Sequence, residues 1–160
     1  MSIDRQGARD YLPIADYLAH RGRIVLLDRV LELSAERILC AVTLREDSPF
    51  CRAGRVPAYV GIEYMAQSVG ALMGWHARNR GELPKIGFLT SVRKFSFAGE
   101  ADGFSVGATL TVEAREVLRD DDSGLGVMAC AIYQTGDVPI ARAQLSAYMP
   151  KDLGAYSTTT

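Results

Sequence analysis

One acidic side chain stands out for the chemistry it could perform. Glu63 lies next to Ile62, Tyr64 and Met65 in an otherwise apolar stretch. A carboxylate in such surroundings is costly unless it is paired, hydrogen-bonded or protonated, and the protonated form can act as an acid. Gln67, four residues later, lies on the same face of a helix and could hold the carboxyl group in place. The alternative is a half-exposed glutamate that the helix dipole favours in a first turn.

The chain has two histidines, and one of them is a candidate for catalysis. His20 opens a His-Arg-Gly-Arg sequence ahead of the first predicted strand, and an imidazole can act as a general base near neutral pH. It could equally be a loop histidine that packs or caps. His76 follows Glu63 by thirteen residues. That spacing is roughly 220° around a helix of 3.6 residues per turn, so His76 is predicted to be a surface residue that faces away from Glu63.

Other chemistries find little support in the sequence. It contains no Gly-x-Ser-x-Gly elbow, no phosphate-binding loop and no dinucleotide-binding glycine pattern. The three cysteines, Cys40, Cys51 and Cys130, include no Cys-x-x-Cys pair, and with two histidines they predict no metal site. They are expected to be reduced thiols, and nothing near Cys51 marks a base that would make it a nucleophile. No cofactor is indicated.

Composition places the chain among ordinary globular proteins. Hydrophobic residues make up 48% and charged residues 23% of its 160 residues, and no apolar run is long enough to cross a membrane. The formal net charge of -1 does not favour nucleic acid as a partner. Residues 1–10 are polar and lack the apolar core of a signal peptide, so a cytoplasmic location is expected.

Residues 58–80, which contain no proline, are predicted to form the helix that carries Glu63. Apolar residues run almost all round it, which is typical of a buried helix. Each glycine lowers the stability of a helix by about 1 kcal/mol relative to alanine. The several glycines of this helix therefore indicate a tertiary contact, the close approach of a sheet. The small residues in question are Gly61, Ala66, Gly70, Ala71 and Gly74. Gly81 is the expected C-cap.

The rest of the chain is predicted to be mostly strands. Residues 24–33 and 37–44 are rich in branched side chains and are expected to pair in antiparallel fashion before a loop at 45–57. Four further strands are predicted at 85–97, 108–118, 126–133 and 140–148, with a hairpin tip at 120–124. Residues 10–19 are a short helical or irregular entry, and 151–160 a frayed tail.

This order predicts one α+β domain over residues 1–160. An antiparallel sheet of five or six strands would wrap around one long central helix, which is the hotdog fold. Parallel α/β folds fit poorly because no helices separate the last four strands. The sheet edge would stay exposed in a monomer, so pairing of two sheets across a dimer is expected.

Two stretches resemble the β-hydroxyacyl-acyl-carrier-protein dehydratases of fatty-acid and polyketide synthesis. Residues 18–32, LAHRGRIVLLDRVLE, are similar to the opening Leu-Pro-His-Arg segment of that family and to its Leu-Leu-Val-Asp-Arg-Val strand. Residues 56–67, VPAYVGIEYMAQ, resemble its helix start, Pro-Gly-Val-Leu followed by Glu-Ala-Met-Ala-Gln. The sequence HRG followed by GIEYMAQ resembles the branch found in aryl-polyene-type clusters. Weaker likeness continues through 88–97, 106–110 and 140–148.

The resemblance implies a hotdog enzyme that removes water from 3-hydroxyacyl thioesters, carried on acyl carrier protein or coenzyme A. It implies that Glu63 is the catalytic acid, that a histidine takes the α-proton and that a backbone N–H at the helix start polarises the thioester carbonyl. The substrate-binding residues that it implies are Gln67, Ala58, Tyr59, Val60, Gly61, Phe88 and Leu89. The implied assembly is a homodimer, a trimer of dimers or a heteromer with a related hotdog subunit.

The usual catalytic histidine of that family, in a Gly-His-Phe-Pro loop before the carboxylate, has no counterpart in this chain. Residues 49–54 read PFCRAG instead. His20 corresponds to the histidine of the Leu-Pro-His segment, so a catalytic dyad of His20 and Glu63 is predicted. Two alternatives stay open. One is a hotdog thioesterase in which Glu63 acts without a histidine, and the other is a catalytically silent partner subunit of a dehydratase complex.

An acidic carrier protein would require basic residues near the site. The arginines that flank the predicted site in sequence are Arg21, Arg23, Arg52 and Arg55. The alternative is that they are ordinary solvated arginines, because charged residues are normally exposed.

Overall fold

The computed structural model describes residues 10–151, so most of the tail predicted at 151–160 lies outside the described residues. Within these residues the chain forms eight strands and one long helix, α1, at Val60–Asn79. The strands are β1 Arg29–Leu33, β2 Arg37–Thr43, β3 Arg55–Pro57, β4 Phe88–Phe97, β5 Gly103–Ser105, β6 Thr109–Asp120, β7 Leu125–Tyr133 and β8 Ala141–Tyr148. Two 3₁₀ turns precede them, at Ile14–Tyr17 and Gly22–Ile24.

Six of the strands form one antiparallel sheet in the order β1-β2-β6-β7-β8-β4. This is the α+β arrangement predicted from the sequence, with the sheet packed around α1. β4 lies at one edge and β1 at the other, and each is paired on one side only. β3 and β5 form a separate two-stranded sheet that the sequence did not predict, because three-residue strands show no alternation.

Helix α1 confirms the helix predicted at 58–80 within two residues. Gly81 follows the end of the helix, and its φ of 75° is the left-handed conformation expected of a glycine C-cap. Gly74 brings the helix against the first 3₁₀ turn: a Cβ there would lie 1.7 Å from the carbonyl oxygen of Tyr17. A sheet was predicted to approach the small residues of α1. It does so at Gly61, which faces Ile132 of β7, whereas at Gly74 the approaching segment is the 3₁₀ turn.

The strand predicted at 24–33 begins only at Arg29. Residues 22–24 form a 3₁₀ turn, with Gly22 at a φ of 67°. The Leu26 amide then donates to the side chain of Gln67 rather than to a neighbouring strand. A side chain of α1 thus takes the place that a strand partner would have had.

The core lies between α1 and the concave face of the sheet. Cys40 and Cys130 are buried there, and burial raises the pKa of each thiol to about 12. Such thiols stay protonated and behave as small apolar residues. Within residues 10–151, no helix is long and apolar enough to span a membrane, and no group of three or more acidic, histidine or cysteine residues could hold a metal ion.

The outer face of the sheet carries a buried carboxylate, Glu113. It accepts hydrogen bonds from Arg37 Nε at 2.9 Å, Arg115 Nη2 at 2.9 Å and Tyr133 Oη at 3.0 Å. Burial alone would raise the pKa of Glu113, but these three donors outweigh it and hold that pKa below its ordinary value. The cluster links β2, β6 and β7 and is structural.

Candidate active site

A cavity of about 380 Å³ runs between α1 and the edge of the sheet, and it brings Glu63 and His20 together. Phe88 and Leu89 of β4 form part of its wall. The rest of the lining is mostly aliphatic: Leu18, Ala19, Ile24, Ala66, Val69, Gly70, Met73, Lys85, Ile86, Gly87, Leu145, Ala147 and Met149. Two groups able to move protons therefore share one largely apolar cavity.

The helical wall of this cavity is a single stripe of α1. Glu63, Ala66, Val69, Gly70 and Met73 follow one another at the spacing that places residues on one helical face. Glu63 marks one end of the stripe and Met73 the other. The small residues of α1 were predicted from the sequence but this stripe was not, although steps of three and four residues from Glu63 reveal it.

Gln67 fixes the position of Glu63. It is 1% exposed, and its Nε2 donates to Glu63 Oε1 at 3.0 Å and to the Ile24 carbonyl at 2.7 Å. Its Oε1 accepts from the Leu26 amide at 2.8 Å. The contact predicted from the four-residue spacing is present, and Gln67 also ties α1 to the segment before β1.

Replacing Gln67 with leucine is expected to lower the free energy of unfolding by about 1–3 kcal/mol, because the buried Leu26 amide loses its acceptor. Urea denaturation of the purified chain measures this loss. Gln134, exposed in the β7–β8 connection, provides the matched control. An equally small effect of Gln67→Leu and Gln134→Leu would show that the hydrogen bonds of Gln67 contribute no stability.

His20 is held at the cavity by the backbone around it. The preceding Leu18 is 1% exposed and anchors the segment in the core. The Arg21 guanidinium donates to the carbonyls of Ala15, Leu18 and His20, the last at 2.7 Å. His20 Nδ1 is buried and has no hydrogen-bond partner among residues 10–151. The fold thus holds the segment around His20 without using its Nδ1.

The sequence predicted an apolar setting for the Glu63 carboxylate, but the Glu63 side chain is exposed in the single chain. It lies where the first cavity meets a second one of about 410 Å³, and the two cavities share Glu63 and Ile24. The second cavity is lined also by Arg23, Leu26, Pro49, Phe50, Tyr59 and Val60. The carboxyl group is therefore open on this side unless another molecule covers it.

The residues predicted at the helix start separate into two groups. The amides of Ala58 and Gly61 are used within the fold, donating to Asp102 O at 2.8 Å and Ala58 O at 3.0 Å. Within the described part of the chain, the amides of Tyr59 and Val60 have no backbone acceptor. Both residues line the second cavity. Gly61 is buried instead against Phe104 and Ile132, and neither it nor Ala58 lines either cavity.

The loop at residues 49–54 contributes apolar surface to the site. Phe50 has a φ of 65° and is 57% exposed at the second cavity. Cys51 beside it is half-buried.

The other histidine, His76, is half-buried rather than a free surface residue, and its Nε2 lies 2.8 Å from Ala35 O. Burial lowers the pKa of His76, and it lines neither cavity.

Two of the four arginines that flank the predicted site in sequence make hydrogen bonds to backbone carbonyls within the fold. Arg21 binds the carbonyls around His20, and Arg55 Nη1 donates to Glu100 O and Gly103 O at 3.3 Å. Arg23 and Arg52 are exposed, and Arg23 lines the second cavity next to Glu63.

Comparison with protein-family models places the chain in a family. The ApeP-like family, described as ApeP dehydratase, matches residues 12–158, nearly the whole chain. No curated protein matches the chain.

Comparison with solved structures gives many matches. A chain in the dehydratase heterocomplex ApeI:P from Xenorhabdus doucetiae is 29% identical, with a TM-score of 0.84 over 94% of this chain and 100% of that one. A hypothetical thioesterase with coenzyme A from Streptococcus pneumoniae is 11% identical, with a TM-score of 0.56 over 76% of this chain and 84% of its own. Zebra fish thioesterase superfamily member 2 is 10% identical, with a TM-score of 0.61 over 85% and 91%. The last two show the fold alone, and the fold is the predicted hotdog.

Proposed function

This chain belongs to the ApeP-like dehydratase family, and from that membership we propose that it acts in the dehydration of 3-hydroxyacyl thioesters carried on an acyl carrier protein. The observation that carries the proposal is the cavity that holds His20 and Glu63 together beside an apolar stripe of α1. The two groups are suited to remove a proton and to deliver one, and the stripe is suited to bind an acyl chain.

In the proposed reaction, His20 acts as the base and Glu63 as the acid. The imidazole takes the α-proton as the C–H bond breaks and the carbon–carbon double bond forms. Protonated Glu63 gives its proton to the departing 3-hydroxyl, which leaves as water. Proton exchange with solvent then returns both groups to their starting states.

The amides of Tyr59 and Val60 are the proposed donors to the thioester carbonyl. They lie at the N-terminus of α1, where the helix dipole adds positive potential, and Tyr59 and Val60 are among the residues that line the second cavity. A donor aimed at a carbonyl stabilises the enolate-like charge that develops when the α-proton leaves. On this assignment, the acyl chain enters the first cavity while the carrier arm lies along the second.

A second hotdog subunit is the proposed cover for Glu63. β4 is an edge strand, and several of its apolar side chains, with those just before it, are exposed: Leu83, Ile86, Phe88, Leu89 and Val92. Pairing of such an edge with a related subunit would bury these side chains. The heterocomplex named in the 29% identical structure favours a heteromer over a homodimer for this chain. Arg23 and Arg52 are the residues proposed to contact an acidic carrier.

Two further functions are kept as alternatives, each with an observation in its favour. Glu63 is exposed and could act as base or nucleophile toward a thioester without His20, which would make the chain a thioesterase. The absence of a histidine from residues 49–54 favours a silent subunit that supports a companion dehydratase.

Product analysis separates the three functions. We expect the purified chain, alone or with its companion subunit, to convert a 3-hydroxyacyl-carrier protein into the enoyl-carrier protein, detected by mass as the loss of one water. Release of free carrier thiol would instead identify a thioesterase. Dehydration by the companion alone at an unchanged rate would contradict a catalytic role for this chain.

A further inference from the structure

A further cavity of about 290 Å³ adjoins the cavity that holds Glu63, and the two share Val69, Met73, Lys85, Ala147 and Met149. The distal cavity, as we call it, is lined by the apolar side chains of Met128 and Leu125 and by charged side chains: Arg80, Glu82, Glu116, Arg119, Asp120, Asp121 and Lys151. Its lining therefore combines apolar and charged groups.

The two cavities follow the same stripe of α1. From Glu63 to Met73 the helix rises about 15 Å, and from Met73 to Arg80 about 10 Å more, at 1.5 Å per residue. Met73 lines both cavities, as does Val69 one turn earlier in α1. A linear chain that enters beside Glu63 and follows the helix must pass Met73.

Met149, the residue after β8, also lines both cavities, and we call Met73 and Met149 the partition. The Met149 amide donates to Gly124 O at 2.8 Å, which fixes its backbone to the β6–β7 turn. Its side chain lies against Gly87, where an added Cβ would be 3.1 Å from Met149 Cγ. Both partition residues are unbranched thioethers, which adapt to irregular spaces more readily than branched side chains do. A partition made of two such side chains can be displaced without moving the backbone.

We propose that Met73 and Met149 determine the acyl-chain length that this chain accepts. Short 3-hydroxyacyl chains end at the partition, and long chains displace the two thioethers and place their distal carbons in the distal cavity. The ligand class assigned to the distal cavity is the far portion of a long-chain 3-hydroxyacyl group. This inference rests on the proposed function, since it takes the first cavity as the acyl site.

Binding of inert substrate analogues tests the inference without requiring turnover. The probes are pantetheine amides of 3-hydroxybutyric, 3-hydroxydodecanoic and 3-hydroxyhexadecanoic acid, in which an amide replaces the thioester. Titration calorimetry on the full chain, in the assembly in which it purifies, gives a Kd for each probe. Met65→Leu is the control, because Met65 is fully buried and lines neither cavity.

We expect Met73→Trp to weaken the hexadecanoyl probe by about tenfold, the loss that follows when a pair of methylene groups is no longer buried. The butyryl probe should keep its affinity, since it ends before the partition. Met149→Ala should improve hexadecanoyl binding relative to dodecanoyl, and Met65→Leu should leave all ratios unchanged. If Met73→Trp lost equal affinity for the short and the long probe, this inference would be wrong while the proposed function would stand. Failure of the wild type to bind any probe would overturn the proposed acyl site as well.

Discussion

Replacing Glu63 with glutamine is expected to reduce dehydration by about 10²- to 10⁴-fold, the usual contribution of a general acid. Glutamine keeps the size of the side chain and an oxygen that can accept the hydrogen bond from Gln67 Nε2. It has no acidic proton to give to the departing hydroxyl. The fold and the binding of substrate should therefore survive while the chemical step is lost, so the loss should fall on kcat rather than on KM.

Single-turnover dehydration of a 3-hydroxyacyl-carrier protein measures this loss. Glu100→Gln is the matched control, because Glu100 is exposed in the β4–β5 connection and lines neither cavity beside Glu63. Its rate should equal that of the wild type. Retention of the wild-type rate in Glu63→Gln would remove Glu63 from the mechanism.

His20→Ala in the same assay completes the test of the proposed dyad. We expect a loss comparable to that of Glu63→Gln, because the imidazole is the base proposed to remove the α-proton. The double variant should then be little slower than either single variant, since groups that act as a unit are not additive. A rate that survives loss of His20 but not of Glu63 would assign the base to a companion subunit or to water.

Much of this fold could be predicted because its main elements carry strong periodic signals. The helix at Val60–Asn79 and strands β2, β6, β7 and β8 lie within two residues of their predicted bounds. The first strand was predicted to begin too early in the chain, for a different reason. Residues 24–28 have the composition of a strand, but Gln67, about forty residues away in sequence, bonds the Ile24 carbonyl and the Leu26 amide. Local propensity cannot reveal a bond of that range.

The candidate site could be predicted from the sequence only in part, for a related reason. An apolar setting for Glu63 followed from its neighbours along the chain, yet neighbours in a helix point in different directions. Ile62 and Glu63 face outward to different degrees, while Tyr64 and Met65 are buried. Which side of α1 meets the sheet depends on packing across the whole domain. The partition at Met73 and Met149 was missed likewise, because it joins the middle of the helix to the residue after β8.

Gly74→Ala is expected to cause the largest loss of stability of the changes considered, about 3 kcal/mol, the upper end of typical overpacking costs. The added Cβ would lie 1.7 Å from Tyr17 O and 2.7 Å from Tyr17 C. These are backbone atoms, which cannot rotate away as a flexible side chain would. The 3₁₀ turn at Ile14–Tyr17 must then separate from α1, and the segment that holds His20 begins directly after it.

Gly70→Ala supplies the control that isolates this contact. Both glycines lie in α1 four residues apart, so alanine favours the helix by about 1 kcal/mol at either position. At Gly70 the added Cβ would meet only Leu18 Cδ2, at an ordinary 3.4 Å. Thermal unfolding should therefore show Gly70→Ala equal to the wild type or more stable. Gly74→Ala should unfold lower by about 2–4 °C for each kcal/mol lost in a chain of this size. Equal midpoints for the two variants would mean that the first 3₁₀ turn is not packed on α1 as described, and the position of His20 beside Glu63 would lose its structural basis.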